Sequence, residues 1–245
     1  MDISALDENT AYAGIGYSIL SKVDNEQHVV MGCSHIYNRF GEGLKYKLQK
    51  VNNPIFDRKN NPYMSYEEAY KFGTMIQNLF LESMDKLPTR VVIHKRTHFR
   101  NDEINGIKDS LKAAGIETVE LLTIEFECER KELPYDINRY GVGIHNYPIK
   151  RGAYIVISDN TFLLWTHGVV PSIRNESLSY YPGGIGIPAP LKITRYSGSS
   201  TVQTIATEIL GFTKMNWNSF NLYTKLPGNY RHLQYIGTSE PLVAP

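Results

Sequence analysis

Residues 90–100 read Arg90-Val91-Val92-Ile93-His94-Lys95-Arg96-Thr97-His98-Phe99-Arg100, and how they fold decides the architecture of the chain. Val91, Val92 and Ile93 are β-branched and apolar, so they favour an extended chain packed on both faces. The six residues from His94 to Phe99 then include four basic or imidazole side chains. A buried strand opening into a cationic loop is implied. The loop beyond the carboxyl end of a central strand is where α/β sheets place their ligands.

Both flanks of this stretch carry helical patterns. Upstream, Ser65-Tyr66-Glu67-Glu68 fits a capping box, in which the serine accepts from a first-turn amide and the glutamate reaches back. Ala69, Phe72, Ile76 and Leu79 follow at helical spacing and predict an amphipathic helix from 66 to about 85, ended by Leu87-Pro88-Thr89. Downstream, Ile104, Ile107 and Leu111 share one face of a second helix that stops at Gly115, and Thr118 to Phe126 predicts the next strand.

Further out, AYAGIGYSIL (11–20), HVVMGCSHIY (28–37) and Leu44 to Val51 form three strand-like runs, the last entered through Gly41-Glu42-Gly43. Three in succession imply an antiparallel meander. Leu44, Tyr46 and Leu48 alternate with Lys45, Lys47 and Gln49, which puts the third strand near an edge or under a helix. Residues 52–64 are a loop by composition, as are 129–150. Residues 151–160 and 161–169 predict a hairpin turning near Asp159-Asn160. A Gly/Pro-rich connection at 180–190 leads to a strand, LKITRY, and then to a helix capped by Ser199 or Ser200 with Val202, Ile205, Ile209 and Phe212 inward. A meander followed by strand, helix, strand, helix is a mixed α/β sheet with helices on both faces, the order shared by the ribonuclease H-like fold.

The bulk numbers bound the partners. The 245 residues, 42% hydrophobic, suit one large α/β domain. A net charge of +1 with 21% charged residues argues for neither nucleic acid nor membrane globally, so a basic surface has to be local. Cys33 and Cys128 lie in strand-like stretches without a second ligand at metal spacing and read as reduced core thiols. No run approaches the roughly 18 apolar residues of a membrane span. The acidic start MDISALDENT is unlike a signal peptide, and a cytoplasmic protein with no membrane contact is expected.

A hydrolase of this fold needs carboxylates at the ends of the first strand and of the strand after the first helix, holding two divalent ions ~4 Å apart. The first strand has no acid between Glu8 and Asp24, and the later one has none between Asp85 and Asp102. Gly16 and Arg96 lie where acids would be wanted, and His94, Lys95 and Arg96 would repel metal. The same charge suits an anion: Lys95, Arg96 and Arg100, with Thr97 and the amides opening the next helix, can bind phosphate oxygens. On composition alone a solvated loop fits equally well. Lys214-Met215-Asn216-Trp217-Asn218 is a second candidate at a helix end, where a C-terminal cap with a packing tryptophan fits as well. Gly183, Gly184 and Gly186 precede no helix start and make no phosphate fingerprint. His35, His145 and His167 lack metal spacing, and Glu125, Glu127 and Glu129 read as one exposed strand face.

The chain resembles the PIWI domain of prokaryotic Argonaute proteins from about Tyr12 to Pro227. The segments AGIGYS, GCSHIYNRFGEGL, NPYMSYEEA, RVVIHKRTHF, RGAYIVISDNTFLLWTHG, IPAPLKITRYSG and EILGFTKMNWNSFNLYTKLP carry the likeness in order. The resemblance implies a ribonuclease H-like domain, spanning 1–245 and divergent after about 227, that holds a guide RNA or DNA and its complementary target strand. Some members slice the target with a carboxylate tetrad and Mg²⁺ or Mn²⁺. This chain is similar to the non-slicing branch, because Gly16 stands for an aspartate and His94-Lys95-Arg96 for Arg-Asp-Gly. Carried over by position, Lys95, Arg96, Thr97, Lys214, Asn216 and Asn218 become backbone contacts, with Arg151 and Arg195 as weaker members.

Relatives carry a MID domain before this region, so a MID-bearing chain or an associated effector is the expected protein partner. No metal site and no cofactor are expected. The alternatives are a guide-directed nuclease, which would need Mg²⁺, and a degenerate fold kept as an interaction scaffold.

Overall fold

The computed structural model of the chain describes residues 9–23, 26–37, 47–126, 137–138, 141–142, 149–168 and 189–214. Its centre is strand β6 (Arg90–Lys95), with every residue after Arg90 buried. β1 (Thr10–Val23) and β7 (Thr118–Phe126) flank β6, both parallel to it. A strand covered on both faces has no polar side to offer, which is why 91–93 is apolar without interruption.

β2 (Glu26–Tyr37) and β3 (Lys47–Val51) continue from β1 as the expected antiparallel meander, with β3 at the sheet edge. On the other side of β7 come β12 (Leu191–Ser197), β11 (Thr161–Leu164) and β10 (Tyr154–Ser158), all antiparallel. The full order is β10-β11-β12-β7-β6-β1-β2-β3, with the 154–164 hairpin turning at Asp159-Asn160 as expected. The short pairs β4 (Ile55–Phe56) with β5 (Pro62–Tyr63) and β8 (Ile137–Asn138) with β9 (Gly141–Val142) lie within spans expected to be loop.

Helices cover both faces, as the strand order requires. Strand side chains alternate, so Val91 and Ile93 join Ala11, Ala13, Ile15, Val119 and Leu121 under α1 (Tyr66–Met84) and α2 (Asn101–Ala113). Val92 goes the opposite way, with Tyr12, Leu122 and Ile124, under α3 (Val202–Phe212). Each fully buried side chain such as Phe72 or Ile209 contributes roughly 1.5–3 kcal/mol over its exposed state.

α1 and α2 touch backbone to backbone. A β-carbon at Gly106 would run into the carbonyl of Tyr66 and lie 2.8 Å from the β-carbon of Ala69, and one at Gly73 would lie 2.8 Å from that of Ser110.

Ser65 caps α1 as expected, while the start of α3 differs in detail. Ser65 Oγ accepts the Glu68 amide at 3.4 Å, while the Glu68 carboxylate lies 3.5 Å from the Lys71 ammonium. Thr201 Oγ1 caps α3 by accepting the Thr204 amide at 3.1 Å, in place of Ser199 and Ser200. Their amides donate to Oε1 of buried Glu120 at 3.0 and 2.8 Å. Gly198, at φ +111°, has no room for a β-carbon beside that carboxylate.

Among the described residues no helix is long and apolar enough to cross a membrane. The expected turn at 41–43, Cys128, the connection at 180–188 and residues 215–220 lie outside the described residues.

Candidate nucleic-acid interface

The parallel register sets Ile15 beside Lys95, the last residue of β6, so Gly16, midway along β1, follows at the level where Arg96 leaves the sheet. Lys95 itself is still strand. Its side chain follows Val91 and Ile93 into the α1/α2 layer and is 1% exposed, with Nζ 2.6 and 2.7 Å from the two oxygens of Glu103. The rings of Tyr63, Phe99 and Tyr17 surround Nζ at 4.5, 5.2 and 5.5 Å.

Glu103 lies in the first turn of α2 and gathers donors from four parts of the chain. Oε1 also accepts Tyr17 OH at 3.2 Å and the Met64 amide at 3.1 Å, and Oε2 accepts the Arg100 amide at 3.0 Å. Buried charges survive when paired and hydrogen-bonded, and the Glu103 carboxylate accepts five hydrogen bonds, two of them from Lys95. Burial pushes the Lys95 ammonium below the usual lysine range, and the Glu103 carboxylate opposes that shift. Burial raises the Tyr17 hydroxyl well above the ordinary phenol value, and the Glu103 charge adds to it.

Above this pair the chain turns outward. Arg96 and His98 are exposed, Thr97 and Arg100 half-buried, and Phe99 is buried with its ring 5.6 Å from that of Tyr196. The Thr97 carbonyl accepts Thr123 Oγ1 at 3.2 Å, which holds the loop to β7. A hollow of about 430 Å³, lined by His98, Phe99, Arg100, Asn101 and Asp102, opens at the start of α2. The amino end of a helix carries partial positive charge, and Lys95 offsets the charge of Glu103 from within.

A second cationic element, missed in the sequence, stands beside the loop. Between β4 and β5, Asp57 Oδ1 accepts the amides of Lys59 and Asn61, both at 2.8 Å. Its Oδ2 accepts Asn61 Nδ2 at 2.9 Å and Tyr63 OH at 3.2 Å. Asn60 takes the left-handed conformation, φ 60°, and the turn leaves Arg58 and Lys59 exposed at its tip. The same Tyr63 OH lies 3.0 Å from Nδ1 of His98, and the Arg100 guanidinium stands 5.5 Å from the Tyr63 ring centre. The signal was an Asp followed by Asn at the third and fourth positions, a side-chain-locked turn.

The remaining candidates are dispersed. The guanidinium of Arg151 donates to the carbonyls of Thr166 and Leu210 and to Thr213 Oγ1 at 2.6 Å, tying the β10 hairpin to the end of α3. Arg195 donates to the carbonyls of Ser200 at 2.6 Å and Asp159 at 3.2 Å. Lys214 is exposed just beyond α3, and Asn216 and Asn218 lie outside the described residues. Among the described residues no three His, Cys, Asp or Glu side chains form a metal-holding cluster.

No protein-family model matches the chain, and no curated protein matches it in sequence. Solved structures do. Aquifex aeolicus Argonaute aligns over 96% of this chain and 29% of its own, with TM-score 0.61 and 19% identity. Marinitoga piezophila Argonaute, solved in complex with 5′ OH guide RNA and target DNA, aligns over 95% and 30%, with TM-score 0.60 and 13% identity. Clostridium butyricum Argonaute, bound to a guide DNA and a 19-mer target DNA, aligns over 94% and 26%, with TM-score 0.59 and 13% identity. The chain thus spans under a third of the length of each of these three Argonautes. Its mixed sheet, with helices on both faces, is the ribonuclease H-like PIWI fold of the Argonaute structures.

Proposed function

We propose that this domain holds the backbones of a guide strand and its paired target in the cytoplasm, without cleaving the target. The observation that carries the reading is the Arg96–Arg100 loop, cationic and open to solvent at the carboxyl edge of the parallel strands, on a fold whose solved examples include complexes with guide and target. Arg96 and Arg100 are the phosphate contacts here, the Thr97 hydroxyl being buried, and Lys214 extends them at the end of α3, where Asn216 and Asn218 follow in sequence. Lys95 acts from beneath by fixing Glu103 and thereby the loop. Arg151 and Arg195 shape the surface through their carbonyl contacts.

Non-cleavage rests on residue chemistry. A two-metal site needs convergent carboxylates, and where β6 ends beside β1 the chain has Gly16, the buried Lys95 and Arg96 instead. Recognition then comes from base pairing, with the protein reading backbone. A MID-bearing chain or an associated effector is the protein partner of this reading.

The test is binding of a guide RNA–target DNA duplex, followed by fluorescence anisotropy across KCl concentrations. Affinity falls steeply with salt, and Arg96→Ala/Arg100→Ala weakens it and flattens the logarithmic salt slope by about 2. Binding indifferent to both salt and substitution overturns the reading. Target cleavage in Mn²⁺ that EDTA abolishes overturns the non-cleaving part alone.

A further inference from the structure

We infer that Arg58 and Lys59, at the tip of the β4–β5 turn, form a second phosphate-contact arm that works as one unit with the Arg96–Arg100 loop. The inference rests on the nucleic-acid reading above and adds residues that the sequence did not single out.

Three observations carry it. Both cations are exposed on a turn whose backbone is held rigid by Asp57, so ordering them on a ligand costs little further backbone entropy. The turn is joined to the loop by one hydroxyl, since Tyr63 OH touches Asp57 on one side and His98 on the other. Arg100 stands over the same tyrosine ring, so the side chain that holds Asp57 of the turn also carries a cation of the loop.

Charge completes the case. The carboxylate of Asp57 is held by the turn's own donors, and the Glu103 charge is matched by Lys95 below the surface. Hydrogen bonds do not cancel the Asp57 charge, so what faces solvent is Arg58, Lys59, Arg96 and Arg100 against Asp57 and Asp102, a surplus of two positive charges. A polyanion with closely spaced charges suits two such arms, and a nucleic-acid backbone supplies one phosphate per ~1.7 Å of duplex axis. A lone small anion would gain little from the second arm.

The experiment uses the 245-residue chain and the same guide RNA–target DNA duplex, with inorganic phosphate as a comparison probe. Arg58→Ala/Lys59→Ala is expected to lower duplex affinity roughly tenfold at low salt and to flatten the salt slope by about 2. Its thermal midpoint stays at the wild-type value, because both side chains are exposed. Tyr63→Phe, which keeps every charge, is expected to weaken binding several-fold by freeing the turn from the loop, with the slope little changed.

If Arg96→Ala/Arg100→Ala weakens binding while Arg58→Ala/Lys59→Ala matches wild type, the second arm is overturned and the broader reading stands. If neither double variant differs from wild type, both fall. Wild-type affinity in Tyr63→Phe overturns the coupling of the two arms. Competition by millimolar phosphate as strong as by duplex overturns the polyanion assignment.

Discussion

Lys95 and Glu103 share a bidentate ion pair, 2.6 and 2.7 Å, with side chains 1% and 0% exposed. A strand that would otherwise end in apolar side chains thus ends in an interior charge, and the first turn of α2 supplies its partner. Removing one member leaves the other desolvated and alone, which costs about 3–5 kcal/mol, whereas removing both leaves no buried charge. Lys95→Met and Glu103→Gln are therefore each expected to destabilise by that amount, and the double variant by clearly less than their sum. Urea unfolding in a double-mutant cycle measures the difference. Single variants within 1 kcal/mol of wild type would mean that the pair is solvated in solution.

Asp57 and Tyr63 make stability depend on pH at opposite extremes. Hydrogen bonds from Asn61, its side chain first, lower the Asp57 carboxyl from 3.8 to about 2. A depressed folded value means that the stabilisation is present above about pH 4 and is lost as pH falls through 2. Burial, then the hydrogen bond to Asp57, raises the Tyr63 hydroxyl from 10.0 to about 12. That contribution is complete below pH 10 and is lost as pH rises through 12. Thermal midpoints from pH 2 to 12 should show both limbs. Asp57→Asn should flatten the acid limb and only shallow the alkaline one, because burial of Tyr63 remains.

Element positions were readable because they depend on local periodicity. Val91 to Ile93, the Phe72-Ile76-Leu79 face of α1 and the Ile107-Leu111 face of α2 each announce burial by spacing alone. Side-chain destination was not readable for Lys95. A lysine after an apolar strand looks like the first loop residue, and only the parity of the strand, with Glu103 arriving from the next helix, turns it inward. Arg151 and Arg195 looked like free cations for the same reason: their partners are backbone carbonyls 15 and 59 residues away and a hydroxyl 62 away for Arg151, and carbonyls 5 and 36 away for Arg195, invisible to any motif. The Arg58-Lys59 arm was hidden in a segment that reads as loop until Asp57 is seen to close it.

Gly106 is expected to tolerate no side chain. Its missing β-carbon is what lets α2 lie against the Tyr66 carbonyl and Ala69 of α1, so Gly106→Ala must push the helices apart. Helix propensity alone would favour alanine by up to about 1 kcal/mol, and overpacking costs about 1–3 kcal/mol. The net change should be destabilising, and it should shift the first turn of α2, which holds Glu103. Chemical denaturation reads the first effect. A larger loss of duplex affinity than Arg96→Ala/Arg100→Ala produces would show that loop geometry, beyond its charge, is needed for binding.

On the opposite face, Arg90 and Glu208 fasten α3 to the sheet through a fork of 2.5 and 3.1 Å, and Tyr12 OH adds a bond to Glu208 Oε1 at 2.9 Å. Tyr12 also meets the Phe212 ring edge-on at 4.8 Å, so one tyrosine serves both the polar and the apolar side of the seat. Arg90→Met should cost about 3–5 kcal/mol by stranding the carboxylate, and Tyr12→Phe about 1 kcal/mol by removing one hydrogen bond. Arg90→Lys should fall between them, because an ammonium keeps the charge but cannot reproduce a planar two-point fork. Hydrogen exchange separates these effects from global unfolding: amides of α3 should lose protection in Arg90→Lys while those of α1 and α2 keep theirs. Because Lys214 follows directly on α3, loosening the helix at Glu208 should also weaken the contact assigned to that end. Duplex affinity should then fall and the salt slope flatten by up to about 1, as for loss of one phosphate-bound cation.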